Sequence, residues 1–297
     1  MLAANIVFAI GCVKSEPETK CASGNELEVE LCERLDAVFK LYGSVEVAVS
    51  IIDPSNSLVL HGNGSRLFHA ASTMKVPVLI ELFRQASLGR FSLEESLLVR
   101  NEFKSIVDGS IFAIQDDSDD SIYKRLGGYM SLRELAYQMI TVSSNLATNI
   151  LIDYVSADSV QTTSERLGTV NSVTLRGVED LLAFEQGLSN RTTSHDLATL
   201  MEALRTGTAV SSEADAEMIE FLLDQQFNSM ITSGMPEGVR AAHKTGSITG
   251  FHHDAAIIYP PQGESFTMVI MTEGLDDREE SSRLIRQIAA NIYDVLR

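Results

Sequence analysis

Tryptophan is absent from the 297 residues, and cysteine occurs only 3 times. Cys12, Cys21 and Cys32 all sit at or before position 32, so the long body that follows has neither a thiolate nucleophile nor a cysteine metal site. Basic residues are the second scarcity. Lys plus Arg number 23 against 41 Asp plus Glu, a net charge of −18. That balance excludes a nucleic-acid binder, which needs a basic surface to displace counterions from phosphate, and it disfavours docking on anionic lipid. No apolar run reaches the ~18 residues of a spanning helix. Heptads and internal repeats are missing too. What is present is a hydrophobic fraction of 44%, enough to bury a sizeable core in a folded globular chain.

Met1 to Val13 form an apolar stretch of signal-peptide length. Within it, Ala9-Ile10-Gly11-Cys12 resembles a lipoprotein cleavage box, which makes Cys12 a candidate lipid anchor. The polar segment 13–25, with Pro17, suits a tether. Cys21 and Cys32 could pair in an oxidising compartment. The expected location is extracytoplasmic, periplasmic or at the outer surface.

From residue 26 the chain reads as one catalytic domain. Leu31, Leu35, Val38 and Tyr42 repeat at helical spacing. Residues 45–53 are rich in β-branched residues, and Leu58-Val59-Leu60 follows a Pro-Ser-Asn turn as a hairpin partner. Helical text fills about 70 to 225. Strands return at 251–259 and 266–272, and Leu284, Ile288, Ile292 and Leu296 mark a final amphipathic helix. The expected fold is α/β plus all-α: an antiparallel sheet flanked by the terminal helices, with an inserted helical lobe. The boundaries are about 26–66 and 226–297 for the α/β lobe and 67–225 for the helical lobe. The acidic run 116–120 reads as a solvated loop, because its ligand spacing does not suit calcium.

Three short motifs carry chemistry. Ser72-Thr73-Met74-Lys75 precedes an apolar run, so a buried helix starting near Ser72 would put Lys75 one turn away on the same face. A hydroxyl is a poor nucleophile until a neighbour takes its proton, and a buried lysine can lose its charge to act as that base. Ser143-Ser144-Asn145 offers a second hydroxyl and an amide, although it also reads as a helix N-cap. Lys244-Thr245-Gly246 beside a strand offers a cation and a hydroxyl for a carboxylate, with Gly allowing close approach to the backbone. Ser121-Ile122-Tyr123-Lys124 and Arg205-Thr206-Gly207 repeat parts of these patterns without the flanking context. Taken singly, each motif is common.

The ordered set resembles the penicillin-recognising serine hydrolases, and class A β-lactamases most closely. The likeness extends over about 26–297, including Leu126 to Leu135 and Met235 to Gly238. It implies the β-lactamase/transpeptidase-like fold and opening of β-lactam amides through an acyl-serine intermediate, without a cofactor. By resemblance, Ser72 is the nucleophile, Lys75 its general-base partner and Ser143 a proton shuttle. Asn145 would bind the substrate amide, Lys244 and Thr245 the carboxylate, and the backbone N–H groups of Ser72 and Ser247 the oxyanion, with Gly246 admitting the substrate to the strand. Glu179 in the Ω-loop would activate the deacylating water, with Glu185 a second candidate; a surface pair of Glu179 with Arg176 is the structural alternative. Two departures bear on deacylation: Ala183 replaces the family's water-holding Asn, and Ser144 its Asp. The expected partner is a small β-lactam or a D-Ala-D-Ala-type substrate, and the chain is expected to act as a monomer. A D-alanyl-D-alanine carboxypeptidase-like protein, or another amidase or esterase, would use the same Ser-Lys site. A Ser-His-Asp hydrolase lacks its Gly-x-Ser-x-Gly elbow here. His252-His253-Asp254 supplies at most two same-side ligands, because adjacent strand residues face opposite ways.

Overall fold

The computed structural model describes residues 26–297. A five-stranded antiparallel sheet is formed by β1 (Glu46–Asp53), β2 (Leu58–Gly62), β3 (Arg240–Ile248), β4 (Phe251–Tyr259) and β5 (Phe266–Glu273), in the order β2-β1-β5-β4-β3. Both faces are covered, so β1 and β5 read as almost continuous apolar runs instead of alternating ones. Val47, Val49, Ile51, Ala256, Ile258, Met268 and Ile270 face one way and pack with α1 (Glu26–Leu41) and α9 (Arg278–Leu296). The helical stripes Leu31-Leu35-Val38 and Leu284-Ile288-Ile292-Leu296 complete that layer. The terminal helices therefore bury the apolar faces that the sequence periodicity marks, each Leu or Ile contributing about 1.5–3 kcal/mol.

The opposite face presents Ala48, Ala255, Ile257, Val269 and Met271 to the helices inserted between β2 and β3. These are α2 (Lys75–Ser87), α3 (Leu132–Thr141), α4 (Asn145–Val155), α5 (Ala157–Arg166), α6 (Leu181–Glu185), α7 (Ser194–Arg205) and α8 (Ser212–Leu223). Helix α7 lies directly against β1 and β5. Helix α2 is buried all round from Lys75 to Phe83, as a helix apolar on every side must be. Its one buried carboxylate, Glu81, is compensated by Arg84, Gln85 and Thr163, which ties α2 to α5.

The expected antiparallel sheet, terminal helices and inserted helices are all present. Two expectations differ in detail. Ser72 does not open an α-helix; it sits in a 3-10 turn, Ala71–Met74, and α2 begins at Lys75. The acidic run 116–120 is not simply solvated, since Asp117 is half-buried and bound to the start of α4. Cys32 is buried on α1 and disulfide-bonded, while Cys12, Cys21 and the leader lie outside the described residues. No helix among the described residues is long and apolar enough to cross a membrane.

Candidate active site

The chain reaches Ser72 through a strained turn held by two histidines. The ladder Phe68–His69 pairs with Arg191–Thr192. His253 on β4 donates from Nε2 to the His69 carbonyl at 2.9 Å and accepts from the Thr272 amide on Nδ1. That pattern needs a neutral ring, and burial holds its pKa down at about 4. His69 Nδ1 accepts from the Ala71 amide at 3.0 Å. Ala71 itself has φ +45°, a left-handed conformation that a non-glycine residue adopts only when its surroundings enforce it. Ser72 follows, half-buried. In a 3-10 turn residues three apart eclipse one another, which puts Lys75 on the same side as Ser72.

Lys75 is fully buried, and its amine donates to Ser143 O at 2.5 Å, Ser143 Oγ at 3.1 Å and Asn145 Oδ1 at 2.9 Å. From the far wall, Lys244 on β3 donates to the same Ser143 Oγ at 2.9 Å. One hydroxyl thus lies between two buried amines. Burial lowers the Lys75 pKa to about 7, against the opposing pull of Asp117 and Glu179. Burial, and then the neighbouring Lys75, push Lys244 well below the usual lysine range. Ser143 has φ +58°, so the residue that links the two amines is also held in a left-handed conformation.

Glu179 arrives on the Ω-loop, which two buried amides clamp. Asn190 accepts from the Leu175 and Arg176 amides and donates to the Arg176 carbonyl. Asn149, on α4, accepts from the Val178 amide at 2.7 Å and donates to its carbonyl at 2.9 Å. Gly177 admits Asn149 because a Cβ there would lie 2.1 Å from its Oδ1. So held, Glu179 takes φ +59° and accepts from Asn145 Nδ2 at 2.8 Å and from the Gln115 amide at 3.0 Å. Asn145 therefore joins Lys75 on one side to Glu179 on the other. Arg176 donates to the carbonyls of Leu188 and Gly177, so it is not the partner of Glu179 that the surface-pair alternative requires. Glu185 is exposed at the end of α6, and buried Ala183 brings no amide to the loop.

Ser72, Asn145, Glu179 and Ser247 line one cavity of about 270 Å³ whose walls include Val178, Leu181, Phe184 and Ile248. A second, of about 260 Å³, is lined by Ser72, Ser143, Asn145, Thr245, Ser247 and Arg278. Ser72 thus lies between an apolar half-cleft and a polar one. Strand β3 is the sheet edge at this point, and Gly246 brings it against the Ala71–Met74 turn: a Cβ there would lie 3.0 Å from the Thr73 amide and 3.1 Å from that of Ser72. Gly246→Ala must push strand and turn apart. Because displacements near 1 Å can cost about a hundredfold in rate, a fall of about ten- to a hundredfold in kcat/KM is expected, with the melting temperature nearly kept. Steady-state kinetics beside a thermal melt check it.

The structure gathers Ser72, Lys75, Ser143, Asn145, Glu179 and the 244–247 segment around this cleft, and leaves Glu185 outside it. It adds three that sequence reading passed over. Asp117 binds the start of α4, Asn149 clamps the Ω-loop, and Arg278 at the first turn of α9 faces the polar half-cleft. A buried Asn inside the apolar text of α4 was the available signal for the second; the other two had none. Among the described residues no cluster of three His, Cys, Asp or Glu could hold a metal ion.

The family model described as "Beta-lactamase enzyme family" matches residues 30–296. The chain belongs to this family. Among curated beta-lactamase relatives, one from Rhodobacter capsulatus is 25% identical over 280 residues, covering 93% of this chain and 92% of its own. Beta-lactamase CTX-M-4 of Salmonella typhimurium is 26% identical, with 88% and 87% covered. A solved beta-lactamase from Sphaerobacter thermophilus DSM 20745 is 27% identical, with a TM-score of 0.78 and 90% and 96% covered. The structure of PBP-A is 25% identical with a TM-score of 0.78, covering 89% of this chain and 96% of its own. In this beta-lactamase family member, Ser72 and Lys75 stand where the Ala71–Met74 turn meets strands β3 and β4 and runs into α2.

Proposed function

We propose that this protein hydrolyses β-lactams through an acyl-Ser72 intermediate. The observation that carries the reading is Lys75: a buried amine with a pKa near neutrality, one turn from a cleft serine, hydrogen-bonded to Ser143 and, through Asn145, connected to Glu179. Neutral Lys75 takes the Ser72 proton as Oγ attacks the lactam carbonyl. The developing oxyanion sits on the backbone N–H groups of Ser72 and Ser247. The C–N bond breaks as Ser143 passes a proton to the leaving nitrogen, resupplied from Lys75. Glu179 then takes a proton from water, hydroxide attacks the ester, and the Ser72 oxygen leaves with a proton. Lys244, Thr245 and Arg278 supply the cationic and hydroxyl groups for the substrate carboxylate.

Acylation should rise with pH through about 7 as Lys75 loses its proton. Stopped-flow acylation rates between pH 5 and 9 check it, and a flat profile would remove Lys75 as the base. The penicillin-binding alternative shares the acylation step and differs only in water attack, for which Ala183 provides no amide. Nitrocefin separates the two: sustained turnover supports the lactamase, and one stoichiometric burst supports the alternative. We place the protein outside the cytoplasm, a reading supported by the disulfide at Cys32.

A further inference from the structure

The second motif carries Ser144 where the class A pattern has an aspartate, and a carboxylate reaches the same place from another loop. Asp117 Oδ1 accepts from the Asn145 amide at 2.8 Å, and Oδ2 accepts from the Leu146 amide at 3.0 Å and from Ser144 Oγ at 3.1 Å. Tyr123 donates to Oδ2 at 3.2 Å and anchors the loop from behind. Ser144 Oγ in turn accepts from the Ala147 amide, capping α4. The rest of the acidic run does other things: Asp116 gives its carbonyl to Asn145 Nδ2, and Asp119 binds Ser121. What Asp117 fixes is the segment 143–146. That segment contains Ser143 in its left-handed conformation and Asn145, the two residues that Lys75 contacts. A conformation of this kind persists only where neighbours enforce it, and a carboxylate at a helix N-terminus is well suited to hold it.

We propose that Asp117 is a positioning residue for acyl transfer, supplying from a loop 27 residues away the carboxylate missing at position 144 and so holding Ser143 and Asn145 against Lys75. The proposal rests on the Ser72–Lys75 reading above. It carries an electrostatic consequence. The charged groups facing Lys75 are Asp117 and Glu179, which favour its protonated form, and Lys244, which shares Ser143 Oγ with it. Tyr123 bonds Asp117 itself, and Asp116 and Arg278 line the same half-cleft. Removing the Asp117 charge should therefore shift the acid limb of acylation to lower pH, which a purely structural loss would not do.

The test is acylation of the full chain by penicillin G, followed by intact mass, in wild type, Asp117→Asn, Asp117→Ser and the exchange Asp117→Ser with Ser144→Asp. Asp117→Ser should acylate at least about tenfold more slowly. Asp117→Asn should move the acid limb down. The exchange should regain most of the wild-type rate, because Asp at position 144 can cap α4 and restore the carboxylate. Wild-type rates in Asp117→Ser, an unmoved limb in Asp117→Asn, or an exchange no faster than the single variant would each overturn the proposal. If Asp117→Ser fails to fold, the exchange decides alone: a folded, acylating protein supports the assignment, and an unfolded or inert one defeats it. A wild type that takes no adduct brings down the Ser72 reading, and this assignment with it.

Discussion

Replacing Lys75 by methionine should slow acylation by about a thousandfold or more while leaving the fold intact. The side chain fills a fully buried place in α2, and methionine matches its length without the amine. Ser72 then has no adjacent base, and general-base catalysis alone is worth about 10²–10⁴ in rate. Ser143 and Asn145 lose the donor that holds them, leaving acceptors unpaired at about 1–3 kcal/mol each. Opposing that loss, the buried amine is itself a burden on folding. Its pKa lies at about 7 in the folded protein against an ordinary 10.5. Between those values the unfolded chain binds more protons than the folded one, so stability rises with pH across the window. The penalty is complete below about pH 7 and absent above the ordinary lysine value. Wild type should therefore gain on Lys75→Met in thermal melts as pH rises from 7 towards 10. Equal pH slopes would show that Lys75 is not a buried, readily deprotonated amine.

Glu179→Gln should trap the acyl-enzyme. Deacylation should fall by about a hundredfold or more, with acylation changed far less. Glu179 lines the cavity beside Ser72 and reaches Lys75 only through Asn145. The amide keeps the shape but loses the base. It also loses one acceptor, so it can serve either Asn145 Nδ2 or the Gln115 amide, not both. Because Ala183 leaves the water without the amide that the class A pattern provides, deacylation should already limit kcat in wild type. Pre-steady-state kinetics with nitrocefin should show a burst in wild type that becomes the whole signal in the variant. Undiminished turnover in Glu179→Gln would move the deacylating base elsewhere.

Much of this site is legible in the sequence because its parts are local. Ser72 and Lys75 are three apart, Ser143 and Asn145 two apart, and Lys244 to Ser247 contiguous on one strand, so spacing alone brings each set together. The sheet and terminal helices are legible for a similar reason: their apolar periodicities are strong, and each face finds a layer to bury it. What periodicity does not encode is the reach of one loop to another. Asp117 sits in a run of charges, which reads as solvent-facing until the start of α4 is known to lie beneath it. The left-handed conformations of Ala71, Ser143 and Glu179 carry no sequence mark, since none is glycine; beside them lie the His69 ring that accepts from Ala71, the Asp117 carboxylate bound to 144–146, and the Asn149 amide bound to Val178. The 3-10 turn at Ser72 is likewise unmarked, since the apolar run that follows reads as continuous helix from Ser72 onward.

The most direct test of the Ser72–Lys75 assignment is time-resolved intact mass spectrometry of the full chain mixed with penicillin G, with peptide mapping of the adduct. The expected result is a transient increment of one penicillin mass on the peptide containing Ser72, decaying as hydrolysed product accumulates and absent from Ser72→Ala. An adduct on another residue, or hydrolysis at full rate by Ser72→Ala, would contradict it.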